Sequence, residues 1–234
     1  EQAIELACRT IARATADAEG CLTQEGQPLT SERVKGLIDG FLRERGFANS
    51  DSIVASGPSA ADCHFFGAGE IRSGEPVIVD VFPTNKATRY CGDCTRTVVH
   101  GEISGEIARM HRAVMAAKAA AEGATRAGVT GEDVHVATIG SLKESGFDAG
   151  LPPEDAPDDY CSMTHGTGHG IGLDVHEPPL LDHRGPELLE GDVLTIEPGL
   201  YSRAIGAVRL EDMVVVTEQG MENLNRLPLE LDWA

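Results

Sequence analysis

The 234-residue chain is predicted to have an α+β fold, because its helices and strands come in runs and do not alternate one for one. An internal repeat supports this prediction. Residues 30–47 align without gaps on residues 130–147, and eight of the eighteen positions carry the same residue. Both segments start with threonine, a good helix cap, and close with glycine before phenylalanine. We therefore expect a duplicated unit, with halves at approximately 1–100 and 101–234 of a single domain.

Each half is predicted to hold two helices followed by a pair of strand segments. The helix candidates are about 1–18 and 30–46 in the first half, and about 103–126 and 130–145 in the second. Apolar residues recur at helical spacing in the alanine-rich third candidate, which indicates that this helix packs against a sheet. The strand candidates lie in GEPVIVDVFP from Gly74, GDCTRTVVHG from Gly92, GDVLTIEPGL from Gly191 and LEDMVVVTEQG from Leu210.

Acidic residues outnumber basic residues 38 to 19, and this charge excludes some classes of partner. Nucleic acids and anionic membrane surfaces attract basic proteins, so neither is expected to bind here. No apolar stretch approaches the roughly 20 residues that a membrane-spanning helix needs, and no secretory leader opens the chain. A cytoplasmic location is the resulting expectation. The excess of carboxylates instead permits the binding of hard cations.

Four acidic residues occupy matching points of the two strand pairs. Asp80 and Glu197 each lie six positions after the glycine that opens their segment, and Asp93 and Glu211 lie near the start of the following segment. An ionised carboxylate inside an apolar strand costs several kcal/mol unless it is paired or binds a metal. Any one of the four would be ordinary if it faced solvent. Their repeated placement favours a shared site that binds metal ions.

A segment rich in histidine and glycine, HGTGHGIGLDVHEPP at residues 165–179, supplies a fifth candidate ligand. A lone histidine is more often a packing or surface residue, but three histidines among glycines favour a site. Four carboxylates and one imidazole form a hard donor set that favours manganese, with cobalt, zinc and iron as alternatives. Four carboxylates also suit two ions held about 3.5 to 4 Å apart, which activate a shared water. Other histidines are interpreted as structural or surface residues: His100, His111, His135 and His183.

Five motifs together resemble the pita-bread metallopeptidases, and within them the Xaa-Pro peptidases, aminopeptidase P and prolidase. The motifs are VDVFP, GDCTRTVV, HGTGHGIGLDVHEPP, TIEPGLY and VRLEDMVVVTEQG, and they occur in the family's order through most of the chain. The resemblance implies a curved antiparallel sheet, outer helices and two halves related by a pseudo-twofold axis. It also implies a peptidase that uses two divalent metal ions to cleave the N-terminal bond of Xaa-Pro peptides or dipeptides.

The resemblance further implies roles for individual residues of this chain. Asp80 would bind one metal ion, His169 and Glu197 would bind the other, and Asp93 and Glu211 would bridge both. Glu197 would also move a proton from the water to the leaving nitrogen. The remaining roles fall on residues around these ligands: His176 contacts the scissile peptide, His64 stabilises the intermediate, His165 lines the proline-side pocket and Arg209 orients a bridging carboxylate.

Two alternatives to this function stay open. The methionine aminopeptidases share the five ligands and the GHGIG core, but the histidine that opens HGTGHGIG looks more like the proline-specific branch. A non-catalytic binding module would be marked by a missing ligand, and all five positions are filled. The family's upstream N-terminal domain has no counterpart in this chain, and the loop FPTNKATRYCGD is longer than usual. The expected partners are a peptide substrate and, as is usual in the family, a second copy in a homodimer.

Overall fold

The structure is a computed structural model that describes all residues, 1–234. Its four α-helices are α1 (Gln2–Ala12), α2 (Ser31–Glu44), α3 (Gly105–Ala124) and α4 (Gly131–Glu144). The strands of the first half are β1 (Thr15–Ala16), β2 (Leu22–Gln24), β3 (Gln27–Pro28), β4 (Phe47–Ala48), β5 (Ser52–Ser56), β6 (Pro76–Val81), β7 (Thr84–Asn85) and β8 (Cys94–Val99). Those of the second half are β9 (Asp148–Ala149), β10 (Cys161–Met163), β11 (Gly168–Gly170), β12 (Glu177–Leu181), β13 (Val193–Ile196), β14 (Gly199–Ser202), β15 (Gly206–Arg209), β16 (Asp212–Thr217) and β17 (Gly220–Asn223).

The first half is built around a three-stranded antiparallel sheet in the order β5-β6-β8. Every residue of β6 and β8 is buried. A short apolar run such as PVIVDV is typical of a strand that is covered on both faces. Helices α1 and α2 cover one face, where Ile4, Ile11 and Ile38 share an apolar cluster with Val77 and Val79. The other face of this sheet is turned towards the second half.

The second half contains two sheets, in the orders β9-β10-β14-β15 and β12-β11-β13-β16-β17. Their strand pairs are antiparallel except for β9 with β10. Helices α3 and α4 pack against each other and against these sheets. Two apolar clusters fill the space between, one around Met110, Met163 and Leu200 and the other around Val134 and Leu194. Both halves therefore place a pair of helices against β-sheet.

The two halves meet where β6 and β8 approach β15 and the start of β16. Ile53 and Ile78 of the first half pack here with Tyr201 of the second. A backbone hydrogen bond of 3.1 Å, from Glu211 N–H to Thr95 O, joins the segment before β16 to β8. The strand segments on which the sequence placed its four carboxylates are thereby brought together.

Three of the four predicted helices lie within two residues of their predicted bounds. The prediction for the first helix was wrong in length, because α1 ends at Ala12 and the following residues form β1, which pairs with β2. The carboxylate of Asp17 stabilises the turn between these strands by accepting a hydrogen bond of 2.8 Å from Cys21 N–H. A turn fixed by local hydrogen bonds therefore ends the helical segment early. None of the helices combines the length and the apolar character needed to span a bilayer.

Helices α2 and α4 begin as the sequence repeat predicts. Thr30 Oγ1 accepts a hydrogen bond of 3.3 Å from Arg33 N–H, and Thr130 Oγ1 accepts one of 3.1 Å from Asp133 N–H. In α4 the carboxylate of Asp133 also accepts a hydrogen bond from Thr130 N–H, at 2.9 Å. This reciprocal capping box occurs in α4 but not in α2, where the equivalent residue is Arg33. The duplication as an evolutionary origin of the two halves stays a prediction.

Candidate metal centre

One cavity of about 490 Å³ is lined by every residue to which the sequence assigned a role in the site. These residues come from both halves of the chain and from separate strands and loops. They are His64, Asp80, Asp93, His165, His169, His176, Glu197, Arg209 and Glu211. Their individual roles stay predictions, but their spatial convergence is a property of the structure.

The first-half carboxylates, Asp80 and Asp93, lie on neighbouring strands. Asp80 is in β6, where it pairs with Thr95 of β8, and Asp93 directly precedes β8. Both residues are buried, with relative exposures of 7% and 6%. The guanidinium of Arg209, from β15, donates from Nη2 to Asp80 Oδ2 at 2.6 Å. One oxygen of Asp80 is therefore held by a cation from the other half.

The imidazole of His169 is placed by a strand of three residues, Gly168, His169 and Gly170. A Cβ on Gly168 would lie 2.0 Å from a carbonyl oxygen of β13, and a Cβ on Gly170 would lie 2.4 Å from a carbonyl oxygen of β12. Only glycine permits this approach. His169 Nδ1 donates to Gly170 O at 3.0 Å, so Nε2 carries the lone pair. This Nε2 lies 3.4 Å from Glu197 Oε1 and 3.9 Å from Asp93 Oδ2.

Glu211 lies between β15 and β16 and is 2% exposed. Its Oε2 accepts a hydrogen bond of 2.6 Å from Thr95 Oγ1. Ligand atoms of Asp93, His169 and Glu211 all lie within 4.8 Å of one another. Arg209 contacts Asp80 directly and approaches Thr95 Oγ1 at 3.4 Å, and its predicted role in orienting a bridging carboxylate stays a prediction. The hydroxyl of Thr95 holds Glu211.

The carboxyl groups of the site lie away from water and repel one another. Burial, followed by the charges of Glu211, Asp80 and Glu197, raises the pKa of Asp93 well above its usual value. Burial and the charges of Glu197 and Asp80 likewise raise the pKa of Glu211. Burial raises the pKa of Glu197 to about 8, although the charge of Arg209 opposes the change. The cluster therefore has an excess of negative charge that a bound cation would neutralise.

The donor atoms fit divalent metal ions. Asp80 Oδ1 and Asp93 Oδ1 are buried and have no hydrogen-bond donor, although an unpaired buried polar atom costs about 1–3 kcal/mol. Burial lowers the pKa of His169 to about 4, so its imidazole is neutral and able to bind a metal. Carboxylate oxygens together with an imidazole nitrogen are ligands that manganese, iron, cobalt and zinc accept. Metal ions would pair the two carboxylate oxygens that the protein itself leaves without donors.

A chain of hydrogen bonds connects Arg209 to His165 at the cavity wall. Arg209 Nη1 donates to the hydroxyl of Tyr201 at 3.0 Å. His165 Nδ1 donates to Gly166 O at 2.7 Å, so its Nε2 accepts from the Tyr201 hydroxyl, also at 2.7 Å. Burial, and then the charge of Arg209, lowers the pKa of His165 to about 4. His165 is therefore a neutral side chain in a fixed orientation.

The two remaining predicted histidines line the same cavity. The ring of His176 packs edge-on against that of His169, with a centroid separation of 4.2 Å. His64 is exposed and follows the short 3-10 helix Gly57–Ala61. Its backbone N–H donates to Asp62 Oδ1 at 2.9 Å, which orders the loop that carries it. Both residues therefore line the cavity that also contains the carboxylate cluster.

The sequence interpretation missed Thr95 and Tyr201, which position the ligands and His165. Both residues lie inside motifs that were recognised, GDCTRTVV and TIEPGLY. Thr95 follows Asp93 by two residues, and residues two apart in an extended segment lie on the same face. That spacing was a signal that could have identified Thr95. Tyr201 had no comparable signal, because its role depends on contacts with His165, in the segment before β11, and with Arg209 of β15.

A family model, metallopeptidase family M24, matches residues 2–218. The chain belongs to this family. The M24 chain is 33% identical to the Xaa-Pro dipeptidase of Pyrococcus furiosus over 183 residues, which make up 77% of this chain and 49% of that protein. Dipeptidase PepE from Mycobacterium ulcerans has a similar structure, with a TM-score of 0.80 and 32% identity over 98% of this chain and 57% of that one. The X-Pro aminopeptidase from Thermotoga maritima MSB8 matches with a TM-score of 0.80 and 30% identity, over 98% and 58% of the two chains.

These similarities confirm two predictions from the sequence. The α+β pita-bread fold is one, and the resemblance to the Xaa-Pro peptidase branch of the pita-bread metallopeptidases is the other. The M24 chain spans about half the length of the curated relatives it matches.

Proposed function

We propose that this M24 chain carries the catalytic centre of a two-metal Xaa-Pro peptidase. The observation that supports the proposal is the buried cluster of four carboxylates and one imidazole, in a cavity that three further histidines also line. The proposed reaction is hydrolysis of the N-terminal peptide bond of Xaa-Pro peptides or dipeptides. The proposed ions are manganese, which the oxygen-rich donor set favours.

The proposed ligands are divided between the two ions. Asp80 would hold one ion, His169 and Glu197 would hold the other, and Asp93 and Glu211 would contribute to both. Hydrogen bonds to the protein occupy one oxygen of Asp80, through Arg209, and one oxygen of Glu211, through Thr95. The second oxygen of Asp80 has no hydrogen-bond donor and is available to an ion. When bound, the ions supply a nucleophilic water near neutral pH and polarise the peptide carbonyl.

Glu197 is the proposed proton carrier. Its side chain is 19% exposed, so it is the ligand carboxylate with the best access to a peptide in the cavity. It accepts the proton that the nucleophilic water loses and delivers it to the leaving nitrogen. His176 and His64 contact the peptide around the scissile bond, and the fixed neutral imidazole of His165 lines the pocket for the residue after that bond.

The cavity wall supports a preference for proline at that position. Apolar side chains share the lining with the polar residues: Ile53, Phe66, Phe82, Val175 and Leu180. A proline ring is apolar and its nitrogen carries no N–H in the peptide, so it needs no hydrogen-bond acceptor from the wall. The apolar part of the wall therefore gives a proline ring a surface to pack against without requiring an acceptor for an amide N–H.

Peptide hydrolysis by the full chain tests the proposal. Protein treated with a chelator is assayed with Ala-Pro, Ala-Pro-Ala and Met-Ala, before and after addition of manganese. We expect release of alanine from the proline peptides only after manganese is added, and little release of methionine from Met-Ala. Glu218→Gln, at an exposed position away from the cavity, is the control variant and keeps the wild-type rate.

The other outcomes separate the alternatives. Cleavage of Met-Ala without cleavage of Ala-Pro would contradict the proline specificity and leave the peptidase chemistry intact. A metal-loaded protein that binds Ala-Pro without cleaving any peptide would contradict the catalytic proposal altogether.

A further inference from the structure

A further cluster of side chains with metal-ligand donor atoms adjoins the principal cavity. It contains His135, Asp182 and His183, whose ligand atoms all lie within 4.8 Å of one another. His135 Nε2 is 3.4 Å from Asp182 Oδ1, and the rings of His135 and His183 meet edge-on with centroids 5.1 Å apart. The sequence interpretation treated both histidines as structural or surface residues. Their convergence on one carboxylate is a property that only the folded chain reveals.

The backbone fixes these side chains relative to one another. His135 lies in the second turn of α4, and the other two residues follow β12. A Cβ on Gly131 would lie 2.1 Å from Leu180 O, and a Cβ on Gly185 would lie 2.7 Å from Glu132 N. The start of α4 and the turn after β12 therefore pack backbone to backbone. Gly131 N–H also donates to Pro186 O at 2.7 Å, which joins the two segments further.

The surroundings of His135 hold its imidazole in an orientation and a protonation state suited to binding a metal. It is 4% exposed, and its Nδ1 lies 2.9 Å from the hydroxyl of Thr167. When Nδ1–H donates to this hydroxyl, the lone pair of Nε2 faces Asp182 and His183. Burial lowers the pKa of His135, although Asp182 opposes the change, so the imidazole is neutral at physiological pH. A neutral imidazole with a hydrogen bond on its other nitrogen is the form that binds metals.

We propose that His135, Asp182 and His183 form a peripheral binding site for zinc or a divalent metal ion with similar ligand preferences. Two imidazoles and one carboxylate are a common zinc ligand set, with a fourth position for water. Tetrahedral zinc holds its ligand atoms roughly 3.3 Å apart. The side chains of Asp182 and His183 are 45% and 74% exposed, so they are free to close on an ion while His135 stays fixed. Glu132 Oε1, 3.9 Å from His183 Nδ1, adds negative charge beside the site.

The peripheral site is distinct from the principal centre but adjoins it. It shares no residue with the five proposed ligands, and its His183 does not line the principal cavity. Asp182 does line that cavity. Thr167, which contacts His135, also accepts a hydrogen bond of 2.8 Å from Glu197 N–H through its backbone carbonyl. An ion in the peripheral site would therefore fix the carboxylate of Asp182 at the rim of the cavity.

Zinc stoichiometry tests the proposal. The full wild-type chain, His183→Ala and the control His111→Ala are dialysed against zinc and their bound zinc is measured by inductively coupled plasma mass spectrometry. His111 lies on α3, where its Nε2 contacts Leu229 O, so its removal controls for loss of any histidine. We expect His183→Ala to bind one zinc ion fewer per chain than either the wild type or His111→Ala. Equal stoichiometry in the three proteins would overturn the proposal.

A second measurement locates the ion. Crystals of the wild type soaked in zinc are expected to give an anomalous difference peak among His135, Asp182 and His183, and crystals of His183→Ala to lack it. The peak is also expected to persist in His169→Ala, where the principal centre lacks a proposed ligand. This prediction therefore holds even if the proposed catalytic function is wrong. A wild-type crystal with zinc in the principal cavity and none at His135 would refute the peripheral site.

Discussion

Two buried clusters of charged side chains meet at β8 and at the start of β16. In only one of them do the positive and negative charges of the protein balance each other. Neighbouring residues take part in different clusters, since Thr95 and Glu211 belong to the metal centre while Arg96 and Asp212 belong to the other. Consecutive residues of an extended segment point to opposite faces, which separates the clusters. The metal centre sets four carboxylates against the guanidinium of Arg209. The second cluster pairs two cations with two carboxylates.

The balanced cluster satisfies both oxygens of Asp212. Arg96 Nη2 donates to Oδ1 at 2.7 Å, and Lys118 Nζ lies 2.7 Å from Oδ2. Lys118 also contacts Glu122, and Asn223 Nδ2 donates to Asp212 Oδ2 at 2.8 Å. No oxygen of Asp212 is left without a donor, in contrast to Asp80 and Asp93 of the metal centre.

For these similarly buried carboxyl groups, the neighbouring charges decide whether the pKa ends above or below its usual value. Burial alone would raise the pKa of Asp212, but Arg96 and Lys118 bring it below its usual value. Burial together with carboxylate neighbours raises the pKa of Asp93. Asp212 and Asp93 are similarly exposed, at 3% and 6%. The balanced cluster is therefore complete without ligands, whereas the metal centre has buried carboxylate oxygens that no donor of the protein pairs.

The largest predicted effect is on catalysis, at the unbalanced cluster. Glu197→Gln keeps the shape of the side chain and removes its ability to accept a proton. We expect kcat for Ala-Pro to fall by about 10²–10⁴-fold, the usual contribution of general acid–base catalysis. The urea midpoint of the metal-free variant should not fall, because one repelling carboxyl has been removed. A kcat within twofold of the wild type would show that Glu197 carries no proton in this reaction.

The four carboxylates of this unbalanced cluster could be singled out from the sequence, because their positions follow from local spacing. Asp80 and Glu197 lie six residues after a glycine, and Asp93 and Glu211 flank the next strand. The structure brings these residues to one cavity. The balanced cluster was not predicted. Its ion pair between Arg96 and Asp212 joins residues 116 positions apart, and no local pattern encodes that pairing.

Other features that depend on contacts between distant elements could not be predicted from the sequence either. Strand β5 and strands β10, β11, β12 and β15 were not predicted, since their short segments lack a repeating pattern. The contact of Arg209 with Asp80, and the cluster at His135, both depend on packing between distant elements. Helix α1 was predicted too long because the turn at Asp17 is stabilised by side-chain hydrogen bonds that periodicity does not report.

The next largest effect is on stability, at the balanced cluster. Asp212→Ala leaves the cations of Arg96 and Lys118 buried with only Glu122 nearby. We expect the free energy of unfolding to fall by about 3–5 kcal/mol, the usual cost of breaking a buried ion pair by removing one partner. Urea denaturation followed by circular dichroism measures it. The control is Asp39→Asn, which breaks an exposed pair with Arg43 and should cost less than about 1 kcal/mol.

At the metal centre, the third prediction is that removing a carboxylate raises the free energy of unfolding. In metal-free protein, Asp93→Asn removes a charge that its neighbours repel, so we expect the free energy of unfolding to rise. The gain is measured as a higher urea midpoint of the metal-free variant at pH 7. Manganese at a hundredfold excess over its Kd should stabilise the wild type by about 2.7 kcal/mol per ion. The same manganese should stabilise the variant much less. A metal-free variant less stable than the wild type would contradict this account of Asp93.

The smallest predicted effect concerns Asp133, an exposed carboxyl whose pKa is lowered by hydrogen-bond donors. The hydroxyl of Thr130, and then its backbone N–H, lower the pKa of Asp133 and outweigh the smaller opposing effect of burial. A lowered folded pKa gives stability that is present above the unfolded pKa of about 3.9 and is lost as the pH falls through the folded pKa. Asp133→Asn should therefore lower the melting temperature slightly at pH 7, and the difference from the wild type should vanish in strong acid. A difference that is the same at both pH values would show that the capping box does not act through the charge of Asp133.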